Sequence, residues 1–79
     1  MGKYTKPTGE RLIRALKKNG YKQIRQKGSH IILQNELDRK KIFSIPNYKE
    51  TLSHGLLERI RTKNLKISKE EFGELLEDC

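Results

Sequence analysis

The stretch Lys27-Gly28-Ser29-His30-Ile31-Ile32-Leu33 decides how the rest of this chain is read. A Gly-Ser pair followed by a run of β-branched and aliphatic residues marks a turn opening into a strand, so His30 stands at or near a strand start rather than on a mobile loop. If Ile31 and Leu33 turn inward beneath helices, the two-residue period of a strand sends His30, Ile32 and Gln34 to the opposite, open face. A reachable imidazole held in one place is a candidate general base or acid, because its unperturbed pKa of about 6.5 lets it exchange a proton near neutral pH. A single histidine at such a position is more often structural than catalytic, and the opposite register would bury it.

Upstream of this stretch, residues 21–27 alternate around Ile24 and, with Gly28 marking the turn, pair with residues 30–34 as a β-hairpin. Downstream, a polar turn from Asn35 to Arg39 leads into a third strand over residues 41–45, with Phe43 and Ile45 on one face and Ile42 and Ser44 on the other, ended by Pro46. The three strands form an antiparallel meander. Before the sheet, Thr8 caps a helix over residues 9–19 that gathers Leu12, Ile13, Ala15 and Leu16 on one side. Lys17 and Lys18 suit the negative end of its dipole, and Gly20 stops it in the left-handed conformation. After a polar linker over residues 47–50, the spacing of Leu52, Leu56, Leu57 and Ile60 predicts a helix over residues 51–63, closed by Asn64. Ser68 and Glu71 form a capping box that starts a short final helix with Phe72, Leu75 and Leu76 on its apolar side, able to fold back on the core or to reach a partner.

The predicted class is therefore α+β, in the order helix, three-stranded antiparallel sheet, helix, short C-terminal helix. With 79 residues the chain is expected to be a single domain over residues 1–79, with a core over about residues 8–64 and a C-terminal helix over about residues 69–77. Lysine and arginine number 18 against 10 acids, a net charge of +8. Such a balance favours polyanionic partners, nucleic acid first, because each cation set against a phosphate releases condensed counterions. The lone cysteine, Cys79, has no partner for a disulfide or a Cys-based zinc site. The basic N-terminus lacks an apolar segment behind it, and no run approaches the ~20 residues that cross a bilayer. A cytoplasmic protein without membrane association is expected, and no spacing of acids or histidines suggests a metal site or a cofactor.

Helix one ending in Lys-Lys-Asn-Gly-Tyr, the run Arg25-Gln26-Lys27-Gly28-Ser29-His30, the strand closing in Ile45-Pro46 and the segment Leu52-Ser53-His54-Gly55-Leu56-Leu57 together resemble a HicA-type toxin. The resemblance spans roughly residues 8–76. It implies a fold similar to the double-stranded RNA-binding domain, metal-independent mRNA interferase activity, a catalytic histidine at His30, presented by Gly28 and Ser29, and neutralisation by a HicB-type antitoxin. The chain departs from the family pattern at Tyr48, where a second histidine is common, and at Ile31 and Ile32, where further histidines or aromatics often stand.

On this reading the partners are RNA, mRNA in particular, and an antitoxin protein. An imidazole at His30 would take the proton of an RNA 2′-hydroxyl as that oxygen attacks the adjacent phosphorus, without a metal. Lys27 and Arg25 are the first candidates for phosphate contact, with Lys22, Lys40 and Lys41 behind them, although a basic surface is as often a solvated face as a specific groove. His54 falls near the edge of the buried stripe of helix two and reads as structural. Tyr4, Tyr21 and Tyr48 read as packing residues more readily than as base-stacking ones. Two other functions fit the same charge: a non-catalytic RNA-binding module of this shape, and a basic protein whose task is to bind an acidic partner.

Overall fold

In the computed structural model, which describes residues 6–77, Thr8 opens the first helix as its sequence suggests. Its Oγ1 accepts the backbone N–H of Arg11 at 3.1 Å, satisfying one of the donors that a helix start leaves unpaired. Helix α1 covers Gly9–Lys18 and buries Leu12, Ile13, Ala15 and Leu16, while Lys17 and Lys18 occupy its last turn. Gly20 follows with φ 91°, a conformation that L side chains rarely adopt. Residues 1–5, 78 and 79 fall outside the described residues, so the expectations for Tyr4 and Cys79 lie there too.

The three strands are β1 (Tyr21–Lys27), β2 (His30–Asn35) and β3 (Ile42–Pro46), paired antiparallel in the order β1-β2-β3. Ile31, Leu33 and Ile45 face the core with little or no exposure, and Phe43 packs against them. His30, pairing with Pro46, and Ile32, pairing with Ser44, take the opposite face, as the alternation requires. The strand β1 departs from simple alternation. Tyr21 is buried against Phe43, with ring centroids 5.5 Å apart, yet Arg25 and Lys27 share its odd parity. A regular strand would put all three on one face. The register instead shifts between Gln23 and Arg25, so that Ile24 is an extra, exposed residue, and the face reverses along the strand. Ile24, at the centre of the expected alternation, is therefore a bulge residue and not a core one.

The second helix corrects its expected bounds at both ends. Ser53 is the cap, its Oγ accepting the N–H of Leu56 at 3.3 Å, and α2 covers His54–Arg59 rather than beginning at residue 51. Thr51 is drawn out of it by a bridge to Thr8. Beyond Arg59 the helix continues as a π-helical segment over Ile60–Leu65, and Lys66, in the left-handed region at φ 56°, ends it in place of Asn64. The wider turn has a packing consequence: Ile60 and Leu65, five residues apart, are both buried, a spacing that an i→i+5 turn aligns and an α-helix does not.

The capping box forms as written. Ser68 N–H donates to Glu71 Oε1 at 2.9 Å and Glu71 N–H to Ser68 Oγ at 3.1 Å. Helix α3 (Lys69–Glu77) then folds back on α1, with Phe72 and Leu76 inside the core and Leu75 packed at its edge. The α+β order is the one the sequence predicts. Among the described residues no helix is long and apolar enough to cross a membrane.

Candidate functional site

His30 is presented by a two-residue hairpin loop. Lys27 and His30 pair directly, leaving Gly28 and Ser29 to reverse the chain, and Gly28 takes φ 61°, the positive value such loops demand. Two hydrogen bonds fix this turn. The Gln26 side-chain amide donates to the Gly28 carbonyl at 3.1 Å, and the backbone N–H of Asn47, just past β3, donates to the Ser29 carbonyl at 2.6 Å. The backbone at His30 is thus held from both neighbouring strands, while its imidazole is exposed and has no hydrogen-bond partner among the described residues.

The cations expected around it separate into two groups. Lys27 is directly opposite His30, and Arg25 is opposite Ile32, so both lie on the histidine's face of the sheet and within two residue pairs of it. Lys22 is opposite Gln34, four residues along β2 and so about 14 Å from His30 at ~3.4 Å per residue. Lys41 lies at that same far end, its N–H bonded to the Asp38 carbonyl at 3.0 Å and its carbonyl accepting from Asn35 at 2.9 Å. The fold brings Arg25, Lys27, Gly28 and Ser29 to the histidine and leaves Lys22 and Lys41 at a distance.

On the other side of His30, the sheet edge and the second helix enclose an open hollow of about 480 Å³. Its walls are His30, Ser44, Phe43 and Tyr48 from the sheet side and Arg59 and Asn64 from the helix side, with Pro46, Leu56 and Ile60 at its floor. Among the described residues no carboxylate lines it. A smaller hollow of about 260 Å³ adjoins, sharing Phe43 and Asn64 and carrying Lys40, Lys41, Lys63 and Lys66 together with Asp38. Arg59 and Asn64 were not legible as site residues, because their place depends on how the helix settles against β3, whereas Tyr48 stands out by its place in the family pattern but reads from the sequence as a packing residue. The one available signal is that Arg59 flanks the apolar stripe between Leu56 and Ile60.

His54 is exposed at the first position of α2 and does not line the hollow, so it neither joins the buried stripe nor meets His30. Tyr21 is a core residue, whereas Tyr48 is exposed and belongs to the hollow. Among the described residues no group of three histidine, cysteine, aspartate or glutamate side chains converges.

Comparison with curated proteins and with solved structures returns no match. A family model described as HicA toxin of bacterial toxin-antitoxin matches residues 9–68, from the first residue of α1 to the residue before α3. The matched span contains the hairpin that presents His30, the bulged strand and both walls of the hollow. It covers most of the chain, and the element order agrees with what the resemblance implies. This chain belongs to the HicA family of bacterial toxins, whose members act in toxin–antitoxin systems.

Proposed function

We propose that this toxin is a metal-independent endoribonuclease of the cytoplasm that cleaves mRNA through the RNA's own 2′-hydroxyl, with His30 as the general base. The observation that carries this reading is the exposed, unpartnered imidazole on a backbone fixed by two strands, with Lys27 and Arg25 beside it. His30 takes the proton of a 2′-hydroxyl, the freed oxygen attacks the adjacent phosphorus, and the bond from phosphorus to the 5′-oxygen breaks. The products are a 2′,3′-cyclic phosphate and a 5′-hydroxyl, the leaving oxygen drawing its proton from solvent. General-base help of this kind contributes ~10² to 10⁴ in rate. Lys27 and Arg25 hold the reacting phosphate and offset the charge gathering on its oxygens, Gly28 and Ser29 set the approach, and Lys22 and Lys41 bind phosphates further along the strand. A HicB-type antitoxin silences the enzyme by covering the face around His30 and Ile32.

A non-catalytic RNA-binding module of the same shape is the second reading, favoured by the lack, among the described residues, of any group orienting the imidazole. One incubation separates them. In chelator, the purified protein is expected to cut an all-ribo oligonucleotide and leave cyclic phosphate ends, and to bind the all-deoxy version without cutting it. Cleavage of the deoxy strand, or a need for divalent metal, would remove this mechanism. Binding of both strands with cleavage of neither would establish the second reading.

A further inference from the structure

The second helix carries two neighbouring arginines with different fates. Arg61 is committed to the fold: its guanidinium meets the Glu58 carboxylate through Nε at 3.0 Å and Nη2 at 2.7 Å and donates from Nη1 to the Ile67 carbonyl at 2.9 Å. Arg59 is exposed and has no ion pair or hydrogen bond among the described residues, although it stands on the wall of the hollow that His30 also lines. A bare guanidinium and an unpartnered imidazole sharing one open hollow, with no carboxylate in its lining among the described residues, make a site for an anion that presents a pair of oxygens, which a guanidinium fork grips by two parallel hydrogen bonds.

Two further features say which anion. Tyr48 is 45% exposed and lines the same hollow, offering a ring face on which a nucleobase stacks. The adjoining hollow continues the path past Asn64 to Lys63, Lys66, Lys40 and Lys41, whose four cations outweigh the single carboxylate there, Asp38, so net positive charge follows the space as a sugar-phosphate backbone would need. Its size suits a few nucleotides of one strand with bases splayed out, and not a duplex.

We infer that the cleft between β3 and the α2–π segment seats a single strand of RNA, with the scissile phosphate at His30 gripped by Arg59 from the cleft side while Lys27 and Arg25 approach from the β1 side, and a flanking base on Tyr48. The inference rests on the proposed ribonuclease reading for the reaction but not for the binding. Arg59 touches the non-bridging phosphate oxygens and stabilises the charge that builds on them as the 2′-oxygen attacks.

The test uses a short 2′-O-methyl RNA, which cannot be cleaved, titrated into the isotope-labelled chain and followed by NMR, alongside a duplex of the same sequence. Single-strand binding is expected to shift amides of β3, Tyr48 and the Arg59–Lys66 segment. Arg59→Gln should weaken it about five- to tenfold and lower the slope of log affinity against log salt by ~0.7, the value for one phosphate contact on a single strand. Tyr48→Ala should weaken it at least about fivefold through lost stacking, and Arg14→Gln, on the exposed side of α1, should leave it unchanged. Wild-type affinity in both Arg59→Gln and Tyr48→Ala would overturn the inference, as would tighter binding of the duplex. If these binding results hold while the wild type cuts no RNA, the ribonuclease reading fails and the cleft assignment stands. If the wild type cuts RNA and Arg59→Gln cuts it equally fast, the reverse is true.

Discussion

Replacing Gly9 by alanine should be among the most damaging single-methyl changes available to this protein. At a helix start, alanine is ordinarily the better residue, by about 0.4–1 kcal/mol, because it has less backbone freedom to lose. Here Gly9 is buried, and a Cβ on it would overlap the carbonyl oxygen of Pro46 and stand 2.7 Å from the Tyr48 nitrogen. Both are backbone atoms and cannot rotate aside. Overfilling a core that can adjust costs ~1–3 kcal/mol, so a clash against fixed backbone should cost about 3 kcal/mol or more. With roughly 4–12 kcal/mol of stability expected for a chain of this size, and ~4–8 °C of melting temperature per kcal/mol, the variant should melt about 12–24 °C lower. The same neighbourhood is stitched by Glu10 N–H to the Tyr48 carbonyl at 3.1 Å and Asn47 N–H to the Ser29 carbonyl at 2.6 Å, so the displaced segment is the one that braces the turn before His30. Loss of cleavage should therefore exceed what unfolding alone explains. The control is Gly55→Ala in α2, where an added Cβ meets nothing within 4 Å and about 0.5–1 kcal/mol should be gained. Thermal denaturation by circular dichroism reads both. A Gly9→Ala protein melting at or above the wild-type temperature would refute the close-approach argument.

Two other substitutions probe the backbone where φ is positive. Lys66→Gly relieves a left-handed lysine at φ 56° and should raise the urea midpoint by the equivalent of about 1 kcal/mol with no change in slope; a lower midpoint would mean that the lysine side chain stabilises the π-helical end. Gly28→Ala, at φ 61° with open space around its Cβ, should cost only about 1 kcal/mol in stability yet reduce RNA cleavage disproportionately, since this turn aims His30. Unchanged cleavage rates in that variant would show that the turn merely connects two strands.

The parts of this fold that local chemistry dictates were legible in the sequence. The Thr8 cap, the Ser68–Glu71 box, the hairpin at Gly28 and the inward set Ile31, Leu33 and Ile45 each follow from residue type and spacing within a few positions. What escaped depends on longer-range packing. The bulge at Ile24 exists because Tyr21 must enter the core while Arg25 and Lys27 leave it, and strand parity alone cannot announce which residue yields. Thr51 reads as helical until Thr8, far away in sequence, claims it as a bridge partner. The π turn was hidden in the spacing of Ile60 and Leu65, which looks like the end of an apolar stripe until both are seen buried. For the site, His30 and its adjacent cations Lys27 and Arg25 could be placed from alternation and pairing, whereas Arg59 and Tyr48 come to the histidine only through the way α2 lies beside β3.

The most direct measurement compares RNA cleavage by wild type and His30→Ala under chelation, with melting temperature and salt-dependent RNA affinity recorded for both. Because the His30 side chain is exposed and bonds to nothing among the described residues, its removal should leave melting close to wild type and weaken RNA binding far less than it slows cleavage. Cleavage should fall by at least ~10², the contribution of a general base. An equally stable, equally tight-binding His30→Ala protein that cuts RNA at the wild-type rate would contradict the assignment of His30 as the base.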